Sequence, residues 1–108
     1  MYIEFEDTDL KELVVNNIGL RKYKKVARSA KFMNNLAEVI KTLAAVNCTS
    51  DLKTYSYLHY ERLKHSSRAL SSVRIMNNRI ERLIFEELED GIRIILVELN
   101  TDHYGNKH

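Results

Sequence analysis

The chain has no proline, no tryptophan, one cysteine and three glycines in 108 residues. Each scarcity excludes something. A single Cys48 cannot close an internal disulfide, so nothing points to a stapled secreted scaffold. Three isolated glycines cannot build a phosphate-cradling loop. No apolar run approaches the roughly 18 residues of a membrane span. The acidic stretch Met1 to Leu10 lacks the basic and apolar regions of a signal peptide. No linker, low-complexity segment or internal repeat interrupts the sequence. What remains is 44% hydrophobic and 30% charged, the balance of a globular chain. Residues 1–108 therefore read as one domain, and a soluble cytoplasmic protein is the expectation.

The net charge of +2 hides a pattern. Residues 1–12 carry five acids against Lys11, a net −4. Residues 21–31 carry Arg21, Lys22, Lys24, Lys25, Arg28 and Lys31 with no acid, a net +6. Residues 51–79 carry six bases against Asp51 and Glu61, a net +4, and residues 81–98 carry six acids against Arg82 and Arg93, a net −4. If the two basic stretches meet in space, they form a surface for a polyanion, with the acidic stretches elsewhere. Otherwise they are ordinary solvated faces.

Periodicity gives the architecture. Residues 1–5 read as a short strand. Residues 8–17 read as a helix capped by Asp7 or Thr8, with Leu10, Leu13 and Val14 at helical spacing. Gly19 is suited to a left-handed stop after it. Residues 21–46 read as one long helix whose face carries Val26, Ala30, Met33, Leu36, Ala37, Ile40, Leu43 and Ala44. Its basic residues cluster in the first half, where the helix dipole does not favour them. Residues 69–76, 80–88 and 92–99 read as strands joined by turns at Asn77-Asn78 and Glu89-Asp90-Gly91. Leu83 and Phe85 share one face of the second of these strands; Ile80, Arg82 and Ile84 share the other. The last is nearly continuously apolar, as a buried central strand is. The fold class predicted is α+β: two N-terminal helices packed on a small antiparallel β-sheet.

Three polar clusters carry chemistry. The first, residues 58–65, contains His59 and Lys64. The second is Arg74, Arg79 and Arg82, which the Asn77-Asn78 hairpin brings near one another. The third is the tail, Asp102-His103-Tyr104 followed by Lys107-His108. RNA cleavage without a metal needs a base for the 2′-OH, a cation for the phosphorane charge and an acid for the leaving oxygen. His, Asp, Tyr, Arg and Lys supply those roles. Each residue also has a plainer reading: His59 as a surface histidine, Arg82 as an ion-paired strand residue, the tail as a frayed end. His103 and His108 lack a fixed third ligand, so no metal and no cofactor are expected. Cys48 reads as a small hydrophobe at a helix end, and most tyrosines as packed rings with surface hydroxyls.

The order of these motifs resembles the HigB group of the RelE-like toxins of bacterial toxin–antitoxin systems. Phe5 followed by Asp9-Leu10-Lys11-Glu12-Leu13 is similar to the opening of that group. The helix ending Leu43-Ala44-Ala45, then Ser50-Asp51-Leu52, resembles its leucine-rich helix and continuation. Leu58-His59 with Leu63-Lys64, Ser71-Ser72-Val73-Arg74-Ile75 and Arg82-Leu83-Ile84-Phe85 resemble its later motifs in the same order. Asp102-His103-Tyr104 stands where the group ends in an Asp-Tyr-His-like motif. Glu81 replaces an aromatic, His65 replaces a glycine, the His59–Lys64 spacing is longer, and the terminal His-Tyr order is reversed.

The resemblance implies a microbial ribonuclease-like fold and ribosome-dependent mRNA cleavage. It implies a ribosome and mRNA as partners, a cognate antitoxin of the HigA-like helix-turn-helix kind, and no membrane. It implies catalytic roles for His59, Arg82, Asp102, His103 and Tyr104, and phosphate contact by Lys64. Arg68, Arg74, Arg79, Lys24, Lys25 and Arg28 are then the RNA-binding candidates. The rival reading is a non-enzymatic inhibitor of DNA gyrase of the related ParE group. A plain interaction module with a basic face is the third.

Overall fold

The computed structural model describes residues 1–64, 67–77, 79–89 and 92–101. Strand β1 (Tyr2–Phe5) leads into helix α1 (Thr8–Asn16). A 3-10 turn (Arg21–Tyr23), the single turn α2 (Lys24–Ala27) and helix α3 (Ala30–Ala45) follow. Two 3-10 turns (Thr49–Thr54 and Ser56–Leu58) then precede β2 (Glu61–Arg62), β3 (Leu70–Arg74), β4 (Arg82–Leu88) and β5 (Arg93–Asn100). The class is α+β, with helices on one face of a sheet.

The sheet differs from the expected antiparallel one. Its order is β1-β5-β4-β3-β2, and β1 runs parallel to β5 with Ile3 opposite Ile94 and Phe5 opposite Leu96. The sheet is therefore mixed. The parallel pair arises because the helices carry the chain across the sheet before the meander begins. β2 adds a fifth strand to the far edge, pairing Glu61 with Ser72 and Arg62 with Ser71. It is two residues long, too short for a periodicity signal.

The expected long helix is also divided. Ser29 is extended (φ −94°, ψ 108°), and its hydroxyl accepts from the Phe32 N–H, so it caps a new helix there. Capping satisfies a donor that the first turn leaves open. The buried face of α3 is Phe32, Leu36, Val39 and Leu43, with Met33 and Ile40 half-buried beside it. Ala30, Ala37 and Ala44 are exposed. The break rotates the face away from the alanines, and the larger side chains take the core.

Asp7 caps α1, its Oδ1 accepting from the N–H groups of Asp9 (2.9 Å) and Leu10 (3.3 Å). The left-handed stop is Asn17 (φ 57°) rather than Gly19. Gly19 serves close approach instead: a Cβ there would lie 2.5 Å from the Ala27 Cβ and 2.9 Å from the Tyr23 carbonyl oxygen. Gly19→Ala should destabilise the protein by about 1–2 kcal/mol, because overpacking exceeds the small gain from a stiffer unfolded chain. Urea unfolding measures this; a variant as stable as the parent overturns it.

Along β4, Leu83 and Phe85 face the core with Val73, Ile94, Leu96 and Leu99, as the alternation predicts. Residue Val97 is extra in β5, since Ile84 pairs Glu98 while Phe85 pairs Leu96. This bulge returns Leu99 to the core face that Ile94 and Leu96 occupy. The Asn77-Asn78 turn is described only at Asn77, and Asp90 and Gly91 of the next turn lie outside the described residues. Glu89 takes a left-handed conformation there (φ 51°).

Candidate functional site

The sheet face away from the helices carries two arginines at one end. Arg74 on β3 and Arg82 on β4 are direct cross-strand partners, and Asn100 of β5 is opposite Arg82. Like charges directly opposite are unfavourable in a sheet. Arg82 is itself engaged in the fold, and planar guanidinium donors of this kind fit a phosphate. Arg74 also donates to the Asn77 carbonyl at 2.9 Å, which turns its stem toward the hairpin end. β5 ends beside Arg82, and Thr101 follows it. Asp102, His103 and Tyr104 lie outside the described residues.

His59 is exposed and closes the Ser56–Leu58 turn in a left-handed conformation (φ 49°, ψ 48°). Its N–H donates to the Ser56 carbonyl. Going back along the chain from β2, the antiparallel register leads from Ser71 and Ser72 toward Arg74, so His59 lies toward the arginine end. Lys64 and Arg68 belong to the opposite end of β3. Arg74 is four steps along the strand from Leu70, roughly 13 Å. Lys64 is exposed there, next to Leu63, whose N–H donates to the Leu70 carbonyl. Arg68 is engaged within the fold, with contacts of 2.7 Å to both Glu6 and Glu86. Those two carboxylates push its pKa above the already high guanidinium value, and Arg68 in turn holds the Glu6 carboxyl below the usual range.

Arg79 does not join Arg74 and Arg82. It turns to the helix side, where it donates to Glu81 Oε2 at 2.8 Å and lies 5.9 Å from the Phe32 ring centroid. The two basic stretches do meet there, since Lys22, Lys25 and Arg79 line one cavity. The acidic stretches are not elsewhere, however. Asp9 pairs Arg21, Glu98 pairs Lys22, and Glu6 and Glu86 pair Arg68. Alternating charge along the sequence thus becomes neutralisation in space for much of the surface. Lys24, Lys25 and Arg28 are exposed on and after α2, with no ion pair to another described residue.

A second polar cluster escaped the sequence reading. Glu87 accepts from Thr49 Oγ1 (3.1 Å), Ser71 Oγ (2.6 Å) and the Tyr60 hydroxyl, with Arg62 at 3.6 Å. Tyr60 stacks on Phe85 at 6.3 Å. Burial and the Glu87 carboxylate push its hydroxyl pKa upward. Glu87 is well satisfied, and it ties the Thr49–Thr54 turn to the sheet. The signal was its parity. Glu81, Leu83, Phe85 and Glu87 fall on one alternating row, so a glutamate stands at each end of the inward-facing face.

Among the described residues no cluster of His, Cys, Asp or Glu could hold a metal ion, and no helix is long and apolar enough to cross a membrane. Cys48 is a half-buried free thiol beside Ser50. Comparison with protein-family models, curated proteins and solved structures finds no match for this chain.

Proposed function

We propose that this protein is the toxin of a bacterial type II toxin–antitoxin system, a HigB-type ribonuclease of RelE-like, microbial ribonuclease-like fold. The observation that carries this reading is the Arg74–Arg82 pair, direct cross-strand partners on the row of β3 and β4 that points away from the core cluster, at the end of the sheet where β5 reaches Asn100. Two arginines side by side suit a phosphate that gains charge as the 2′-oxygen attacks. Arg82, with Arg74 beside it, stabilises that charge. His59 and the residues of the tail share the roles of base for the 2′-OH, acid for the departing 5′-oxygen and platform for a base. No cofactor enters.

Lys24, Lys25 and Arg28 hold ribosomal RNA through phosphates, an attraction that weakens steeply with salt. Lys64 sits too far along β3 for the same phosphate as Arg82 and is assigned to a neighbouring stretch of the message. Arg68, locked between two carboxylates, contributes order rather than RNA contact. A HigA-like antitoxin neutralises the protein, and the cytoplasm is where it acts.

Inducing the protein in bacteria and mapping mRNA ends tests the reading. New 5′ ends within ribosome-bound messages are expected, and they should vanish when residues 102–108 are deleted. Intact messages overturn it, and gyrase-dependent DNA breaks in their place point to the ParE-like inhibitor.

A further inference from the structure

The cavity on the helix side is separate from the opposed arginines of the outer face. Its volume is about 480 Å³, and Lys22, Lys25, Val26, Arg79, Ile80, Glu81 and Thr101 line it. That volume lies within the usual range for a small-molecule site. Its notable member is Glu81. Glu81 is 5% exposed, its Oε2 is held by Arg79, and its Oε1 is buried with no hydrogen-bond partner among the described residues. A buried carboxylate oxygen without a donor is costly. It calls for a ligand that brings N–H groups.

The rim makes the opposite demand. Lys25 is exposed without an ion pair to a described residue and suits an anionic group, while Lys22 beside it is paired with Glu98 at 2.8 Å. Val26 and Ile80 supply apolar walls between rim and floor. Arg79, with 42% of its side chain exposed, is a wall with room to swing and a plane on which a ring can stack.

We propose that this cavity binds a guanine nucleotide, with the base on Glu81 and the phosphate on Lys25. Guanine presents two adjacent donors, N1–H and the N2 amino group, to a carboxylate. Once the exposed Arg79 swings aside, Oε1, enclosed in the free protein, takes one, and the spare lone pair of Oε2 takes the other. Adenine presents an acceptor at N1 and leaves one oxygen unpaired, so it binds less well. The same chemistry serves a free nucleotide or a guanosine within RNA. The site uses neither Arg74 nor Arg82, so it stands whether or not the protein cleaves mRNA.

The test is calorimetric titration of the intact chain with 5′-GMP, 5′-AMP, inorganic phosphate and a 2′-O-methyl trinucleotide with a central guanosine. GMP should bind about tenfold tighter than AMP, because a donor-reading carboxylate discriminates by its unpaired groups. Glu81→Gln should erase that preference. Lys25→Ala, an exposed change that leaves the fold intact, should weaken GMP by about three- to tenfold and reduce its salt dependence. Tighter binding of the trinucleotide assigns the site to RNA, and tighter binding of GMP assigns it to the free nucleotide. Both support the proposal. Equal binding of GMP and AMP, GMP no tighter than phosphate, or a Lys25→Ala variant that binds like the parent overturns it.

Discussion

Arg82→Ala should lower mRNA cleavage by about 100-fold or more, the usual cost of removing one donor from a developing oxyanion. The reasoning starts from register. Arg82 is half-buried on β4 with Arg74 on one side and Asn100 on the other. Its side chain is therefore partly withdrawn from solvent, and a preorganised cation is worth more than a mobile one. Arg82→Lys keeps the charge but loses the planar fork, so it should recover only part of the rate. Cleavage of a reporter message on purified ribosomes, with melting followed in parallel, separates chemistry from folding. Full activity of a folded Arg82→Ala variant would exclude the opposed arginines as the phosphate site. His59→Ala should also reduce cleavage in the same assay, since it removes one of the groups assigned to proton transfer.

Tyr23→Phe should destabilise the fold by about 2–3 kcal/mol, which lowers the melting temperature by roughly 10–20 °C in a domain of this size. The ring is fully buried, and phenylalanine preserves its volume, so the loss is that of the hydroxyl alone. That hydroxyl donates to Asp7 Oδ2 at 2.6 Å and accepts from the Leu99 N–H at 3.0 Å. β1 ends at Phe5, opposite Leu96, so beyond that point β5 has no strand on that side. The Tyr23 oxygen takes the place of a ladder acceptor for Leu99, while Asp7 also caps α1. Removing it leaves a buried N–H unpaired and slackens the link from α1 to β5. A change below about 0.5 kcal/mol in urea unfolding would show that the network contributes little.

The same burial has a consequence at high pH. Desolvation and the Asp7 hydrogen bond push the Tyr23 hydroxyl well above its ordinary value of 10.0, and burial with Glu87 raises Tyr60. A raised folded pKa means the native state keeps its proton longer than the unfolded chain does. The stability is fully present below about pH 10 and is lost as the pH rises through the folded values. Ultraviolet titration of the native protein should show these two hydroxyls still protonated when an unfolded chain has ionised.

Some of the fold is legible along the chain. The Asp7 cap, the pair Leu10 and Leu13 in α1, and the inward row Leu83 and Phe85 follow from local rules of spacing and capping. Those rules act over a few residues, so one sequence suffices. The break at Ser29 was also written locally, as a capping residue inside an apparent helix, but the apolar repeat running across it masked the signal. Glu81 and Glu87 stood in plain alternation with the core row, and charge outweighed parity in the reading.

What the sequence by itself determined is the α+β class and the faces of β3 and β4, because periods of 3.6 and 2 are properties of one segment. Only the tertiary structure decided that β1 pairs β5 in parallel and that a two-residue β2 joins the edge. It also decided that Arg68 is spent on Glu6 and Glu86 while Arg74 and Arg82 stand opposed. Those outcomes depend on which segments meet across dozens of residues, and a carboxylate meeting an arginine 62 positions away leaves no trace in the spacing of either.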